Sequence, residues 1–372
     1  MRSDPPHDAT ESLRLLVRLL RRDAGGIRRR LQVRPDALDE LAAVAVDGGL
    51  SVVLLRALAD SSLAQQISVE HQHALARRCE HQATRYAVLE KGFAHVANVF
   101  DSAGVPFMLL KGPYLAARFY GDPQGREFVD LDLLVRHADR RRAFSILEEA
   151  GYARRSRVLG NEALTAFFVH GFDFVADGVN LDLHWGLSRH PSFHLDESII
   201  WERRGTFPLG GRSYDVLSDE HEVTLEVLAL LRDIERGRPK IKSFVDLIQV
   251  VATFDATMPW DALFADSRSN GTYGPLVNVL SLSIDVADAH DLAPRLTASL
   301  AQHANRRVRS IRVALPLGPG PKRTDLSNRL WAARSYDAPL GSWFVWWAVS
   351  LPFRRAVHGW PRPVASRPTA TA

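Results

Sequence analysis

The sequence predicts an α+β fold in which a small mixed sheet with its helices is flanked by N- and C-terminal helical segments. Helical periodicity dominates the N-terminal part of the chain, short strand-like apolar runs begin at Pro106, and helical periodicity returns beyond about residue 218. These changes divide the chain into an N-terminal helical segment, a core, a C-terminal helical domain and a basic tail rich in Pro, Arg and Trp: residues 1–104, 105–190, 191–315 and 316–372.

The composition is that of a globular protein with room for two or three modules, since the chain has 372 residues and 46% apolar content. The single cysteine, Cys79, cannot form an intramolecular disulfide, so nothing indicates an oxidising compartment. The N-terminus carries acidic residues before a leucine run that arginines interrupt, which predicts neither a signal peptide nor a membrane span. We therefore expect a cytoplasmic enzyme.

The first part of the core is predicted to be a strand, a turn and a helix. A helix ending near Gly104 precedes it, with an apolar stripe at spacings of three and four formed by Leu89, Phe93, Val96 and Phe100. Residues 106–110 then form a continuous apolar run typical of a strand buried on both faces. Gly112 can cap the following helix, in which Pro113 takes the first position and which extends through Tyr120.

The second part of the core is a strand, a helix and a hairpin. Residues 129–135 read VDLDLLV, as a strand would, and Asp139 can cap a helix that ends before Gly151. Asp177-Gly178 lies between two alternating runs, which is a strong signal for a two-residue hairpin turn. In the second arm of this hairpin the side chains on one face belong to Asn180, Asp182 and His184. After the core, Ser218 caps a long helix.

Two carboxylates on the predicted second strand indicate a metal site. Asp130 and Asp132 lie two residues apart, so their side chains project from the same face and repel each other unless a cation lies between them. Magnesium prefers oxygen ligands and keeps positions for water and substrate phosphate. The turn at Gly112 can hold a phosphate through backbone N–H groups, and a later strand adds Asp182. Together these features predict a site for phosphoryl chemistry.

These residues resemble those of a known family. Leu109-Leu110-Lys111-Gly112, the turn at 120–123, Arg126 and the run 130–135 look like the uncharacterised nucleotidyltransferase family of bacterial genomes, within the polymerase-β-like superfamily. Residues 179–185 match its later motif, and the resemblance covers roughly residues 85–190. The wider superfamily has Gly-Ser at the end of its first strand, where this chain has Gly112-Pro113 and thus lacks the phosphate-contacting hydroxyl.

The resemblance implies roles for individual residues. Asp130 and Asp132 would be metal ligands, and Asp182 would be the third carboxylate and the base for the acceptor hydroxyl, unless it is a satisfied strand aspartate; Asp173 on the partner arm is the reserve candidate. The residues expected to bind nucleotide are Lys111, Gly112 and Arg126.

Three of these positions have alternative readings. Lys111 can reach a phosphate or face solvent. Arg126 can neutralise a triphosphate or pair structurally with Asp122 or Glu127. His184 can orient the acceptor or serve as a hydrogen-bonded strand histidine.

The implied reaction is Mg²⁺-dependent transfer of a nucleoside monophosphate from a nucleoside triphosphate to an acceptor hydroxyl, with release of pyrophosphate. Mn²⁺ is an alternative ion, and the acceptor can be a small molecule, a peptide or RNA. Two other hypotheses remain open at this stage: phosphoryl or nucleotidyl transfer onto protein or tRNA, as in toxin-like relatives, and a non-catalytic nucleotide-binding module. A shared fold does not decide among them.

The tail differs from the rest of the chain in charge. Residues 301–372, which include the tail, contain twelve Lys and Arg residues against two acidic ones, a net of +10, whereas the whole chain carries +4. Such a tail can contact nucleic acid, a membrane surface or an acidic partner, or it can be a solvated end. Its Trp-rich stretch, residues 343–349, is too short to span a bilayer, so it either packs on the protein or on a partner, or lies in a membrane interface.

Overall fold

The computed structural model describes residues 9–59, 62–156, 168–188, 190–237, 239–303, 326–337, 343, 345–350 and 356–357. The N-terminal segment consists of helices followed by one long helix: α1 Ala9–Leu20, α2 Ala24–Val33, α3 Ala37–Gly48, α4 Ser51–Leu58, a 3-10 turn Ser62–Gln66, and α5 Val69–Ser102. The predicted apolar stripe of α5 is buried along its C-terminal half, at Leu89, Phe93, Val96 and Phe100.

The middle of the chain supplies most of the sheet. Its elements are β1 Phe107–Leu109, α6 Pro113–Tyr120, β2 Leu131–Val135, α7 Arg140–Glu149, β3 Ala153–Arg154, β4 Gly171–Ala176 and β5 Val179–His184. The predicted strand-turn-helix unit, the helix before Gly151 and the hairpin are all present. Both turn residues of the hairpin have positive φ, 45° at Asp177 and 78° at Gly178, as the predicted turn type requires.

The C-terminal half adds a second hairpin and a group of helices. These are α8 Glu197–Glu202, β6 Gly205–Leu209, β7 Arg212–Val216, α9 Asp219–Glu235, α10 Ile241–Phe254, α11 Trp260–Asn270, α12 Tyr273–Ala287, α13 Pro294–His303 and α14 Leu326–Ser335. Ser218 caps α9 as predicted, since its side chain accepts a hydrogen bond from the N–H of His221.

All seven strands found in the described residues form one mixed sheet in the order β3-β4-β5-β2-β1-β7-β6. β2 pairs parallel with β5 and antiparallel with β1, and β7 joins β1 in parallel. The predicted fold class, a mixed sheet flanked by helical segments, is confirmed. β6 and β7 were not predicted from the sequence, and they carry the sheet past residue 190 to Val216.

The core has separate parts on the two faces of the sheet. Phe107, Leu131 and Leu133 point to the face that α5 and α7 cover. Met108 and Leu134 alternate to the other face, where they meet Leu225 of α9. Alternation therefore turns Asp132 toward the α9 side of the sheet.

The helices at the two ends of the chain share one apolar cluster. Leu16 of α1 and Leu54 of α4 belong to the same buried group as Leu230 of α9 and Val251 of α10. Trp343, in the Trp-rich stretch, is 2% exposed and packs into this cluster. The stretch therefore packs on the protein at that position, whereas most of the predicted basic tail lies outside the described residues.

Within the part of the chain that the structure describes, no helix is both long and apolar enough to cross a membrane.

Candidate active site

The pairing of β2 with β5 brings together the carboxylates that the sequence placed on separate strands. Asp132 and Asp182 are direct neighbours in the parallel register, so both side chains project from the same face. His184 is one place further along that face, and its Nε2 lies 3.3 Å from Oδ1 of Asp132. One potential ligand atom from each of these three residues lies within 4.8 Å of the others. Among the described residues, this trio is the group that can hold a metal ion.

Asp130 lies just outside the trio. The strand begins at Leu131, two residues later than the sequence suggested, so Asp130 occupies a bend immediately before β2. Burial, and then repulsion from Asp132, raises the pKa of Asp130 above its ordinary value. The neighbouring aspartate is thus close enough to act on Asp130 electrostatically.

The two strand carboxylates have opposite electrostatic environments. Burial opposes ionisation of Asp132, but hydrogen bonding and charge attraction from His184, followed by Lys111, hold its pKa below the ordinary value. Burial, a hydrogen bond with Asp173 and repulsion from Asp132 instead raise the pKa of Asp182 to about 10. Asp173 is the direct antiparallel partner of Asp182 in the hairpin.

The turn after β1 approaches the bend that carries Asp130. Gly112 has φ of 63°, a left-handed conformation that favours glycine, and it caps α6. A Cβ atom at this position would lie 3.3 Å from the backbone oxygen of Asp130. A side chain at residue 112 would therefore make a tight contact with the backbone of Asp130, which the glycine avoids.

The two predicted nucleotide-binding cations are both held in ion pairs. Lys111 Nζ lies 2.7 Å from Oε1 of Glu226, a carboxylate on α9 that is 2% exposed. Arg126 is buried and forms a two-pronged pair with Asp246 of α10, with both N–O distances at 2.6 Å. Asp246 also accepts a hydrogen bond from the hydroxyl of Tyr120 at 2.7 Å. Asp246, rather than Asp122 or Glu127, is therefore the ionic partner of Arg126.

A cavity of about 140 Å³ opens beside the trio. Lys111, Asp132, Asp182 and His184 line its sheet side, and α9 forms the opposite wall through apolar residues and Arg232. Tyr336, which follows α14, also lines the cavity, and its ring stacks on His190 at a centroid distance of 4.1 Å. The cavity thus connects the strand carboxylates to a wall built by the C-terminal part of the chain.

The sequence profile of a family described as uncharacterised nucleotidyltransferases matches residues 35–283, which is more than half of the chain. The chain belongs to this family. The match confirms the resemblance seen in the core motifs and extends it into the helical segments on both sides. A comparison with curated proteins finds no match for this nucleotidyltransferase.

Two solved structures are similar to the nucleotidyltransferase at low identity. One is the antibiotic-resistance factor ANT(2'')-Ia, with 13% identity, a TM-score of 0.30, and coverage of 59% of this chain and 93% of that one. The other is an antigenic nucleotidyltransferase-like protein from Paracoccidioides brasiliensis, with 14% identity, a TM-score of 0.32, and coverage of 58% and 93%. Likenesses this weak carry no information on substrate.

Several charged residues around the site were not found by sequence reasoning. Glu226 and Asp246 are buried on α9 and α10, and Lys242 of α10 donates a hydrogen bond to the backbone oxygen of Glu127. Burial, followed by repulsion from Arg126, lowers the pKa of Lys242 to about 7. The sequence did contain a signal for these residues: Lys242 and Asp246 are four residues apart in a mostly apolar stretch, where charged side chains are rarely buried without partners.

Proposed function

We propose that this nucleotidyltransferase moves a nucleoside monophosphate from a nucleoside triphosphate to an acceptor hydroxyl in a Mg²⁺-dependent reaction that releases pyrophosphate. The observation that carries the proposal is the register of β2 and β5, which sets Asp132 beside Asp182 on one face of the sheet. The phosphate-binding turn at Gly112 lies against the backbone of Asp130, next to that pair.

The donor set fits a divalent cation. Asp132 and Asp182 offer oxygen ligands of the kind that Mg²⁺ prefers, and Asp130 adds a third carboxylate in the adjoining bend. The raised pKa values of Asp130 and Asp182 reflect burial and mutual repulsion, which a cation at this point would relieve. Mn²⁺ is an alternative because the His184 imidazole also lies within ligand range. When bound, such ions neutralise the charge of the triphosphate and of the leaving pyrophosphate.

The residues around the turn bind the nucleotide in this proposal. Backbone N–H groups at the start of α6, after Gly112, face a phosphate with the positive end of the helix dipole. Lys111 lines the cavity and adds a point charge that Glu226 holds in place. Asp246 holds the Arg126 guanidinium in an ion pair. In this proposal Arg126 therefore attracts the triphosphate by its charge and does not bind a phosphate directly.

The acceptor enters from the cavity on the α9 side. Asp182 lines this cavity and, once ionised, takes the proton from the acceptor hydroxyl, a step in which general base catalysis contributes about 10²–10⁴-fold. His184 shares that wall and orients the hydroxyl by hydrogen bonding, with its ring fixed by Asp132.

Labelled triphosphates test the proposal. The protein is incubated with Mg²⁺, an α- or γ-labelled triphosphate and separate small-molecule, protein and RNA fractions from cells, with Asp132→Asn as the control. The proposal expects the α-label, but not the γ-label, to appear on one fraction, and only with the unaltered protein. Retention of the γ-label would mean phosphoryl transfer instead. Retention of neither label in any fraction would favour a non-catalytic binding module.

A further inference from the structure

The bend that carries Asp130 is held through its backbone by two cationic side chains. Lys242 Nζ donates a hydrogen bond to the backbone oxygen of Glu127. Arg85 Nη2 donates one to the backbone oxygen of Val129 at 2.6 Å. The two accepting carbonyls lie three residues and one residue before Asp130, so the two cations hold the backbone immediately before this carboxylate.

The segment between the two carbonyls is fixed as well. The side chain of Phe128 is 3% exposed and its ring makes an edge-to-face contact with Tyr86 of α5, with centroids 6.1 Å apart. The carboxylate of Glu127 accepts a hydrogen bond from the backbone N–H of Ser51, at the start of α4, at 2.8 Å. The bend is therefore tied to α4, α5 and α10.

We propose that Lys242 and Arg85 are positioning residues that place Asp130 within reach of the ion shared by Asp132 and Asp182. The inference rests on the proposed function, because it assumes that these carboxylates bind a divalent cation. Asp130 needs such support because it lies before the first residue of β2 and outside the trio whose ligand atoms already converge. Residues that orient metal ligands typically affect metal affinity by 10–100-fold.

Lys242 can influence metal binding by holding the backbone of the bend or by its positive charge, and the two roles predict opposite changes in metal affinity when the residue is replaced. Its ammonium lies close enough to Asp130 to favour the ionised carboxylate, and a cation there repels a bound metal ion. If Lys242 acted through charge alone, its removal would tighten metal binding. If it acts by holding the bend, its removal weakens metal binding. The sign of the change therefore separates the two roles.

Lys240 provides a matched control. It is exposed, lies two residues before Lys242, and also acts electrostatically on Asp130. Within the described part of the chain its side chain forms no hydrogen bond to the bend, in contrast to Lys242. Lys240→Met thus removes a nearby charge without removing a contact to the backbone of residues 127–129.

The test is Mn²⁺ binding to the full chain, measured by the loss of the free-ion signal in electron paramagnetic resonance, with melting temperature recorded in parallel. We expect Lys242→Met to weaken Mn²⁺ binding by about 10-fold or more. Lys240→Met should leave it unchanged or slightly tighter, and Lys242→Arg should restore much of the affinity. Unchanged or tighter binding in folded Lys242→Met would overturn the inference.

Two further measurements keep the outcome decisive. If Lys242→Met does not fold, Arg85→Met takes its place with the same expectation, because Arg85 holds the other carbonyl from the half-exposed surface of α5. Failure of the unaltered protein to bind Mn²⁺ through Asp132 and Asp182 would contradict the proposed function itself. Binding that needs those two residues but ignores Lys242 and Arg85 would contradict only the positioning role.

Discussion

At the residue scale, the proposed function requires a change in the protonation of Asp182. Its pKa of about 10 means that this carboxyl group is protonated at neutral pH before an ion binds. A carboxylate ligand must be ionised, so metal binding at Asp182 displaces a proton. If Asp182 binds the ion as proposed, we expect the apparent metal affinity to rise with pH until the pH approaches 10.

The first prediction is proton release on metal binding. Mg²⁺ titrated into the protein at pH 7.5 should give binding heats that depend on the ionisation enthalpy of the buffer, because the proton from Asp182 passes to the buffer. Asp182→Asn should abolish this dependence, whereas substitution of the exposed Asp266 by Asn should not. Equal heats in two buffers with the unaltered protein would show that Asp182 does not exchange a proton for the ion.

The second prediction separates Asp130 from Asp132. The pKa of Asp130 is raised, so at neutral pH its charge destabilises the fold, and Asp130→Asn should raise the melting temperature. The pKa of Asp132 is lowered, so its charge stabilises the fold and Asp132→Asn should lower the melting temperature. Both variants should lose at least about 10–100-fold in turnover. Thermal melting without added metal measures the expected changes in melting temperature, and the labelled-transfer assay measures the loss of turnover. Full activity in either variant would show that its aspartate is not part of the site.

The sequence predicted which candidate side chains share a face better than it predicted their ionic partners. Asp132, Asp182 and His184 follow from alternation within single strands, which is a local rule. The pairs Lys111–Glu226 and Arg126–Asp246 each join residues more than a hundred positions apart, so no local pattern specifies them. Asp130 was assigned to the strand because its neighbours alternate, but pairing begins only at Leu131.

At the element scale, α6 and α9 are joined by a buried polar contact that should respond to pH. Glu222 is fully buried on α9 and accepts a hydrogen bond from the hydroxyl of Tyr114 at 3.0 Å. Burial, followed by repulsion from Glu226, raises the pKa of Glu222 to about 8 from 4.5. Because the pKa of Glu222 is higher in the folded state, protonated Glu222 contributes to the stability of the fold. This contribution is complete below pH 4.5 and is lost as the pH rises toward 8.

The third prediction follows from that sign. Glu222→Gln should be more stable than the unaltered protein at pH 8, by at most about 5 kcal/mol, because glutamine cannot ionise. Its stability should also change less between pH 5 and pH 8 than that of the unaltered protein. Urea unfolding at several pH values measures this, with the exposed Glu202→Gln as the control. A Glu222→Gln variant that is less stable at pH 8 would show that ionised Glu222 supports the α6–α9 contact.

The two hairpins differ in how well the sequence predicted them. The β4–β5 hairpin has strict alternation around Asp177-Gly178, and both signals agree with the structure. The β6–β7 hairpin turns at Gly210-Gly211, which is also a turn signal, but Pro208 lies within its first arm. Proline disfavours a strand assignment except at a sheet edge, and β6 is the edge strand. Edge position is a property of the sheet, so the local sequence could not supply it.

At the scale of the whole molecule, the end of the chain contributes to the common core. Trp331 of α14 and Trp343 are each 2% exposed and belong to the cluster shared by the N- and C-terminal helices. Tyr336 lies between them in sequence and lines the cavity beside the trio. The same segment thus supports both the fold and one wall of the site.

The fourth prediction concerns truncation. A chain ending at residue 325 should melt well below the full chain or aggregate, because loss of a buried tryptophan side chain alone typically costs about 3–5 kcal/mol. Circular dichroism melts of the full chain, of the truncated chain and of Trp331→Ala provide the comparison. Equal melting of the 325-residue chain would show that the core does not depend on Trp331 and Trp343.

The central claim is that Asp132 and Asp182, joined by Asp130, hold the divalent ion of a nucleotidyl transfer site. Anomalous diffraction from crystals grown with Mn²⁺ and a non-hydrolysable nucleoside triphosphate analogue tests it most directly. We expect a manganese peak between the carboxylates of Asp132 and Asp182, with the triphosphate extending toward the turn at Gly112. A bound triphosphate whose manganese lies away from both carboxylates would contradict the claim.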